Sequence, residues 1–310
     1  MNSRYAKVNG KIAPYPYNTC IMVPLIRLLR PAHWAKNVFV LAPVVFAQEL
    51  TDRKALSSAL LAFVAFCLAS SAVYVFNDIR DRAEDRRHPL KRHRPLAAGT
   101  VSLGTAWVLM VVLVIAALAL SVYLGKNFLI VLLTYLILNQ LYSSGLKNVV
   151  ILDVMIISLG FVLRVLAGGA ATGVQISAWI VLCTFFVALF LAFSKRRHEL
   201  ILLADDASDQ RAVLSHYSPA FLDQMINVVT ASTVVSYAMY AIAPETTEKF
   251  HTQHLIYTIP MVLFGIFRYL YLIYQEPTRR NPTEAILRDP AFMINILVWG
   301  LAVLWIVYRG

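Results

Sequence analysis

Charged residues are scarce in this chain of 310 residues. Asp, Glu, Lys and Arg together make up 15% of it, whereas hydrophobic residues make up 59%. A soluble domain is about a quarter charged and about half apolar. The mean hydropathy of +0.65 agrees with a chain that consists mostly of apolar runs. The composition therefore argues against a set of soluble domains and predicts one integral membrane domain.

Cysteine is also rare. The three cysteines, Cys20, Cys67 and Cys183, lie far apart and form neither a Cys-x-x-Cys pair nor a spacing typical of metal sites. Their pattern predicts small apolar packing residues. It gives no support to a disulfide framework or a cysteine metal site.

Apolar segments recur along the whole chain, most of them near the ~20 residues that a membrane-crossing helix needs. They fall at 37–50, 56–76, 104–124, 127–142, 150–170, 177–194, 222–243, 255–274 and 291–308. This pattern predicts an all-α integral membrane protein with about nine transmembrane helices. Residues 1–36 are predicted to be a cytoplasmic or interfacial N-terminal segment, and residues 37–310 the nine-span domain.

Lys and Arg are unevenly distributed between the two sides of this topology. With the N-terminus in the cytoplasm, 21 of the 28 fall in cytoplasmic stretches and five on the opposite side. Cytoplasmic loops of membrane proteins carry such an excess, which fixes the orientation. The same bias explains most of the net charge of +11, so nucleic acid is not an expected partner.

One charged stretch, NDIRDRAEDRRHPLKRHRPLAAG, lies at residues 77–99 between two apolar segments. Topology accounts for its arginines but not for its acids, because Asp and Glu contribute little to orientation. Asn77, Asp81 and Asp85 recur every four residues. Together with Asp78 they would share one face of a continuing helix. Such hard oxygen ligands suit Mg²⁺, which usually joins a few carboxylates to substrate phosphates.

Basic residues follow these acids and could clamp the same phosphates, Arg by paired hydrogen bonds and Lys as a point charge. They are Arg86, Arg87, Lys91, Arg92 and Arg94. The alternative is a solvated loop with local salt bridges such as Asp78–Arg82, each worth a few tenths of a kcal/mol.

The stretch resembles the first aspartate motif of the UbiA-type prenyltransferase superfamily, Asn-Asp-x-x-Asp-x-x-x-Asp, followed by Arg-Pro-Leu-x-x-Gly. The resemblance implies nine helical spans around a central cavity that opens to the cytoplasmic side and holds a Mg²⁺-bound diphosphate. It implies catalytic roles for Asp78, Asp81 and Asp85, and metal binding by these three and Asn77.

The family's second motif, Asp-x-x-x-Asp after the sixth span, is not matched. The aligned place in SKRRHELILLADDASDQR holds Lys195, Arg196 and Glu199. Three later acids are equally consistent with a solvated patch: Asp205, Asp206 and Asp209. This departure argues against a prenyl diphosphate donor with an aromatic acceptor.

Four further stretches, at 28–46, 142–169, 191–200 and 281–292, resemble the decaprenyl-phosphate phosphoribosyltransferase branch of the superfamily. That branch moves phosphoribose from phosphoribosyl pyrophosphate to decaprenyl phosphate, for cell-wall arabinan. The resemblance implies a plasma-membrane enzyme with a cytoplasmic active site and leaves a homo-oligomer open. It implies substrate binding by Lys36, Asn77, Lys91, Arg94, Tyr142, Lys147, Lys195, Arg196 and Glu199.

Two ionisable residues lie inside the fifth apolar segment, Asp153 near its cytoplasmic end and Arg164 deeper. A charge at mid-bilayer costs roughly 2.5–3.5 kcal/mol, so such residues usually face an interior cavity. Eleven residues make about three turns, which puts both on one face. We expect one cavity lined by both, with Asp153 as a ligand of a second Mg²⁺ or of ribose hydroxyls and Arg164 meeting a phosphate. Pairing with other spans is the alternative.

Two other functions stay open. One is prenyl transfer from a prenyl diphosphate to an aromatic acceptor, which is common in the superfamily. The other is membrane transport, with the charged cluster as an ion site. Against transport, most of the charge lies in predicted loops rather than at the middle of the membrane.

Overall fold

The structure of the protein is a computed structural model that describes residues 5–8, 11–14, 22–88, 91–204, 214, 216–275 and 288–309. Within these residues the α-helices are α1 Met22–Leu29, α2 Ala42–Phe46, α3 Arg53–Arg80, α4 Arg82–Asp85, α5 Leu103–Leu124, α6 Lys126–Ser144, α7 Leu152–Thr172, α8 Ala178–Ala204, α9 Pro219–Ile242, α10 Pro244–Phe250, α11 Ile259–Gln275 and α12 Pro290–Arg309. Short 3-10 helices cover Pro31–Leu41, Lys91–His93, Leu146–Asn148 and His254–Thr258.

A small hairpin precedes the helices. Strands β1 Tyr5–Val8 and β2 Lys11–Pro14 pair antiparallel, with Tyr5 opposite Pro14. The sequence analysis did not predict this hairpin.

Eight helical segments of the described chain are long and apolar enough to cross a membrane. They are Arg53–Arg80, Leu103–Leu124, Lys126–Ser144, Leu152–Thr172, Ala178–Ile201, Pro219–Ile242, His254–Gln275 and Pro290–Arg309. The predicted all-α integral membrane fold is confirmed. The number of nine spans and the cytoplasmic opening of a central cavity stay predictions, as does the domain division after residue 36.

The first predicted span, 37–50, differs from the other eight because it is not one long α-helix. It is divided between the 3-10 helix Pro31–Leu41 and the five-residue helix α2. Pro43, which has no N–H to donate, stands at the start of α2, where a helix tolerates it. The segment is apolar, as predicted, but it does not form the one continuous helix that was expected of a span.

Side-chain caps fix where several helices begin. Asp52 precedes α3, and its carboxylate accepts hydrogen bonds from the backbone N–H groups of Lys54 and Ala55, at 2.7 and 3.3 Å. Ser218 caps α9 in the same way, and Asp289 caps α12. Such caps satisfy N–H groups that have no partner inside the helix.

The chain forms two compact units, which are described separately here. The first contains residues 1–35 and 70–114, and the second contains residues 36–69 and 115–310. In the first unit the Trp34 indole donates to Ser71 at 3.0 Å, and Ser71 donates to the Leu29 carbonyl at 2.9 Å. These bonds hold the end of α1 beside the second half of α3.

The second unit has two large apolar clusters, which the burial of nonpolar surface stabilises. One centres on α7, α8 and α9, with Val154, Leu222 and Ile226 fully buried. The other surrounds Phe66 and Phe128.

A close approach of α7 to the segment around α2 depends on one glycine of the second unit. A side chain on Gly168 would collide with the Val40 carbonyl oxygen and the Pro43 ring. Only glycine therefore allows this contact.

Candidate active site

The residues of the first aspartate motif lie at the end of α3 and in α4. Asn77 and Asp78 belong to the last turn of α3, Asp81 separates the two helices, and Asp85 ends α4. Helical hydrogen bonds continue across the junction, from Asp81 N to Asn77 O and from Asp85 N to Asp81 O, both at 2.8 Å. The helical spacing assumed for the motif is therefore present.

Two carboxylates of the motif are buried and bound to arginines. Asp78 and Asp85 are 2% and 3% exposed. One terminal nitrogen of Arg94, Nη1, donates to Asp85 Oδ2 at 2.7 Å and to Asp78 Oδ1 at 3.3 Å. Arg30 donates to the same Asp78 oxygen. These four residues, Arg30, Asp78, Asp85 and Arg94, are called the aspartate centre below.

The loop that carries Arg94 is attached to α4 by two other arginines. Arg82 donates to the Leu96 carbonyl at 3.3 Å, and Arg86 donates to the Ala97 carbonyl at 3.2 Å. The local pair Asp78–Arg82 considered from the sequence is replaced by the longer-range pairs with Arg30 and Arg94. Arg82 and Arg86 thereby position the loop, and Arg94 contacts the acids.

The aspartate centre contains carboxylate oxygens, which are the ligands that Mg²⁺ prefers. Two carboxylate oxygens lie within 3.3 Å of one Arg94 nitrogen, so a single cation already bridges them. Among the described residues, no group of three or more His, Cys, Asp or Glu side chains is arranged to hold a metal ion. Mg²⁺ usually takes only one or two carboxylates and completes its shell with water and substrate phosphates. The pair fits such an ion once Arg94 moves away from it.

The second unit contains a buried charged network around Arg196. Its Nε donates to Asp153 Oδ2 at 2.7 Å, and its Nη1 donates to Glu199 at 2.6 Å. Tyr217 donates to the other Asp153 oxygen, Oδ1, at 2.8 Å. Asp153, Arg196, Glu199 and Tyr217 are called the arginine centre below.

The arginine centre is assembled from three parts of the chain. Asp153 lies in the first turn of α7, Arg196 and Glu199 lie one turn apart on α8, and Tyr217 comes just before α9. Burial raises the pKa of Tyr217 well above its ordinary value, so the phenol stays protonated and donates to the carboxylate. Both Asp153 oxygens are engaged by protein donors.

Three other predicted site residues belong to the second unit. Lys195 is half-exposed and lies 3.8 Å from Glu199. Tyr142 is partly buried near the end of α6. Lys147 is partly exposed in the 3-10 turn Leu146–Asn148.

Arg164 belongs to a separate network in the second unit. It donates to the Asn37 side chain at 2.8 Å, to the Gly160 carbonyl at 2.7 Å and to the Tyr135 hydroxyl at 3.1 Å. The Phe161 ring also lies 5.4 Å from the guanidinium. Asp153 and Arg164 thus have different partners, and the expectation that both line one cavity stays a prediction.

The remaining candidates differ in exposure. Lys36 and Lys91 are exposed, and Asp81 is partly exposed. The three acids of the solvated-patch alternative lie outside the described residues: Asp205, Asp206 and Asp209.

Two residues of these centres were not among the sequence candidates. Arg30 lies in the stretch 28–46, whose family resemblance was a signal for it, but its contact with Asp78 spans 48 positions. Tyr217 has no motif, and it lies 64 positions from Asp153. Only the folded chain brings these residues together.

Comparison with known proteins identifies relatives of this chain by sequence and by fold. The model of the UbiA prenyltransferase family matches residues 38–296. A decaprenyl-phosphate phosphoribosyltransferase of Mycolicibacterium smegmatis is 34% identical over 285 residues, covering 89% of this chain and 89% of the relative. One from Corynebacterium glutamicum is 33% identical over 290 residues, covering 92% and 86%.

A solved UbiA homologue from Archaeoglobus fulgidus, bound to GPP and Mg²⁺, has the same fold. Its TM-score is 0.70 at 22% identity, and the match covers 93% of this chain and all of that one. The resemblance predicted from the aspartate motif is thus confirmed by sequence and by fold. The chain is a multi-pass membrane transferase that belongs to the UbiA prenyltransferase family.

Proposed function

We propose that this protein transfers 5-phosphoribose from phosphoribosyl pyrophosphate to decaprenyl phosphate and releases pyrophosphate. The observation that carries the proposal is the arginine centre. Where a second aspartate motif is expected, the chain has the buried Arg196, held by Asp153 and Glu199, and the half-exposed Lys195. The names of the two bacterial relatives support the transfer of phosphoribose to decaprenyl phosphate.

Positive charge suits the two substrates of this reaction. A phosphorylated sugar that approaches a lipid phosphate brings two anions together, and their repulsion is strong in a partly dry cavity. In Arg196, no described residue accepts a hydrogen bond from the second terminal nitrogen, Nη2. We propose that this nitrogen and the Lys195 ammonium bind phosphate oxygens.

The reaction needs no strong base. An oxygen of the lipid phosphate forms a bond to ribose C1 as the bond from C1 to the pyrophosphate oxygen breaks, and the leaving group keeps that electron pair. C1 carries oxocarbenium character on the way, as in glycosyl transfer generally. The acceptor is already an anion, so catalysis consists mainly of positioning and charge neutralisation.

The aspartate centre is proposed to hold the pyrophosphate end of the donor. Asp78 and Asp85 would bind Mg²⁺ with Asn77 and Asp81 beside them, and the ion would neutralise the leaving pyrophosphate. Arg30 and Arg94 have side chains 22% and 31% exposed. They can therefore turn from the carboxylates to the phosphates by bidentate hydrogen bonds.

We propose that both centres face the cytoplasm and that the membrane is the plasma membrane. The excess of Lys and Arg in the loops after α3 and α8 supports this orientation. Cysteine labelling from outside should fail at position 100 and succeed at the exposed position 251. The reverse pattern would overturn the orientation.

The proposed activity is tested by two parallel assays on one purified preparation. The first contains Mg²⁺, labelled phosphoribosyl pyrophosphate and decaprenyl phosphate. The second contains Mg²⁺ and a prenyl diphosphate with 4-hydroxybenzoate or a naphthoate. We expect label in the lipid of the first assay, identified by mass spectrometry, and no prenylated product in the second.

The control for these assays is the Asp78→Ala protein, which should give no product in either. A prenylated aromatic product in the second assay, with no label in the lipid phosphate of the first, would replace the proposal by aromatic prenyl transfer. That result would leave the family assignment unchanged.

A further inference from the structure

We infer that Tyr217 is a positioning residue of the phosphate-binding site, acting through Asp153 on Arg196 and through Ile151 on the turn that carries Lys147. The inference rests on the proposed function for its substrate, phosphoribosyl pyrophosphate. Tyr217 itself touches neither Arg196 nor Lys147 by a hydrogen bond within the described residues, so its effect is indirect.

The Tyr217 hydroxyl joins two structural features with one oxygen atom. It accepts a hydrogen bond from the Ile151 backbone N–H at 2.6 Å and donates one to Asp153 Oδ1 at 2.8 Å. The side chain is 5% exposed, and its ring stacks on Phe221 with centroids 6.0 Å apart. A buried ring in a packed cluster therefore holds the hydroxyl in one place.

The first feature is the Asp153 carboxylate, whose two oxygens have different partners. Oδ1 accepts from Tyr217, and Oδ2 accepts from Arg196 Nε. Because Tyr217 occupies Oδ1, the carboxylate cannot rotate freely and presents Oδ2 to Arg196. This orientation fixes the plane of the guanidinium and hence the direction of its Nη2 group.

The second feature is a strained backbone position. Ile151 has φ +68° and ψ −45°, a conformation that is exceptional for a β-branched residue. Its side chain is 40% exposed, so side-chain burial offsets little of this strain. The hydrogen bond to Tyr217 is a contact that holds Ile151 in place, and with it the end of the turn Leu146–Asn148.

A strained backbone conformation persists where several surrounding contacts hold it in place, and such conformations are frequent at functional sites. Here one hydroxyl holds both the strained turn and the acid that orients Arg196. One residue from the connection before α9 thereby contacts both the segment that follows Lys147 and the acid that binds Arg196. That arrangement explains why a tyrosine, rather than a phenylalanine, is buried there.

The test is Tyr217→Phe, which keeps the ring and removes only the hydroxyl. We expect the KM for phosphoribosyl pyrophosphate to rise about tenfold, the loss that corresponds to one hydrogen bond to a charged group. We expect kcat to change less than about twofold, because the group does not touch the reacting atoms.

The matched control is Tyr237→Phe. Its hydroxyl also has two partners, Thr258 at 2.6 Å and Trp299 at 3.1 Å, but in a different cluster. The control should leave the KM unchanged. Equal changes of KM in both variants would reduce Tyr217 to a structural residue and overturn the inference.

A double variant separates action through Arg196 from a general loss of packing. In the Arg196→Lys background, which lacks the Nε contact, Tyr217→Phe should raise the KM by about threefold or less, because only the path through Ile151 remains there. A full additional rise of about tenfold would contradict the inference.

Hydrogen exchange gives a readout that does not depend on turnover. In Tyr217→Phe the Ile151 amide should exchange faster than in the wild type, whereas Tyr237→Phe should leave it unchanged. Unchanged exchange in Tyr217→Phe would refute the tie to Ile151. A wild-type protein that makes no lipid product would instead refute the proposed function, and the exchange experiment would still decide whether Tyr217 holds the turn.

Discussion

The aspartate centre and the arginine centre combine the same kinds of side chain in opposite ways. In the first, buried acids meet arginines that are 22% and 31% exposed. In the second, Arg196 and Asp153 are 3% and 0% exposed as side chains, and the acid is bound on both oxygens. In the first centre another cation can replace the arginines at a small desolvation cost. In the second centre the same exchange would leave buried charges without partners.

This difference separates a centre whose cations can be replaced from one whose charges are fixed in place. Partly exposed arginines can leave Asp78 and Asp85 when another cation arrives. A buried pair that loses one partner leaves a charge without compensation, which is costly. We therefore expect the aspartate centre to be sensitive in activity and the arginine centre to be sensitive in stability as well.

The largest expected effect is on turnover in Asp78→Ala. Loss of a proposed metal ligand should reduce kcat at least about 1,000-fold, comparable to the loss of a preorganised electrostatic group. The thermal midpoint should change little, because Arg30 and Arg94 can reach solvent. Glu84→Ala, an exposed acid of the same helix α4, is the control and should retain activity. A wild-type rate for Asp78→Ala in Mg²⁺ would contradict the metal role.

The next largest effect is on stability in Asp153→Ala. The change leaves Arg196 buried without its main partner, which typically costs about 3–5 kcal/mol. We expect a clearly lowered thermal midpoint in detergent, together with a loss of activity. If Asp153→Ala and Asp78→Ala prove equally stable, the contrast between the two centres is wrong.

Much of the fold could be predicted from the sequence, because its causes are local. The apolar runs predicted eight helices of the described chain, and the four-residue spacing of Asn77, Asp81 and Asp85 predicted the helical face. The interruption at 37–50 was missed, because hydrophobicity measures transfer into a membrane and not backbone geometry.

The partners of the site residues could not be predicted, because they are distant in sequence. Arg196 lies 43 positions from Asp153, and periodicity carries no information about which helices meet. The shared face of Asp153 and Arg164 was a correct geometric idea about one helix. Neighbouring helices then supplied each residue with its own partners, Tyr217 and Arg196 for one and Asn37 for the other.

A third prediction concerns competition for the carboxylates of the aspartate centre. Arg94 bridges Asp78 and Asp85 and must leave before a metal can bind them both. Arg94→Ala should therefore bind Mn²⁺, measured by electron paramagnetic resonance without substrate, about fivefold more tightly, as expected for an exchanged ion pair of about 1 kcal/mol. Arg92→Ala, an exposed neighbour, should bind Mn²⁺ as the wild type does. Weaker binding in Arg94→Ala would show that Arg94 supports the metal site instead of competing for it.

The smallest expected effect distinguishes Lys195 from its buried neighbour Arg196. The Lys195 side chain is 52% exposed, and its ammonium lies 3.8 Å from Glu199, so Lys195→Ala should change stability by less than about 1 kcal/mol. The lost charge should still raise the KM for phosphoribosyl pyrophosphate about threefold to tenfold, in line with one charge-assisted contact.

Lys195→Arg should restore only part of this affinity, because a planar guanidinium directs its donors differently from an ammonium. The control is Lys126→Ala, an exposed lysine at the start of α6, which should leave both quantities unchanged. A KM in Lys195→Ala equal to that of the wild type would restrict the phosphate-binding charge of the second unit to Arg196 and Lys147. Lys195 would then lie on a solvated surface rather than in the substrate site.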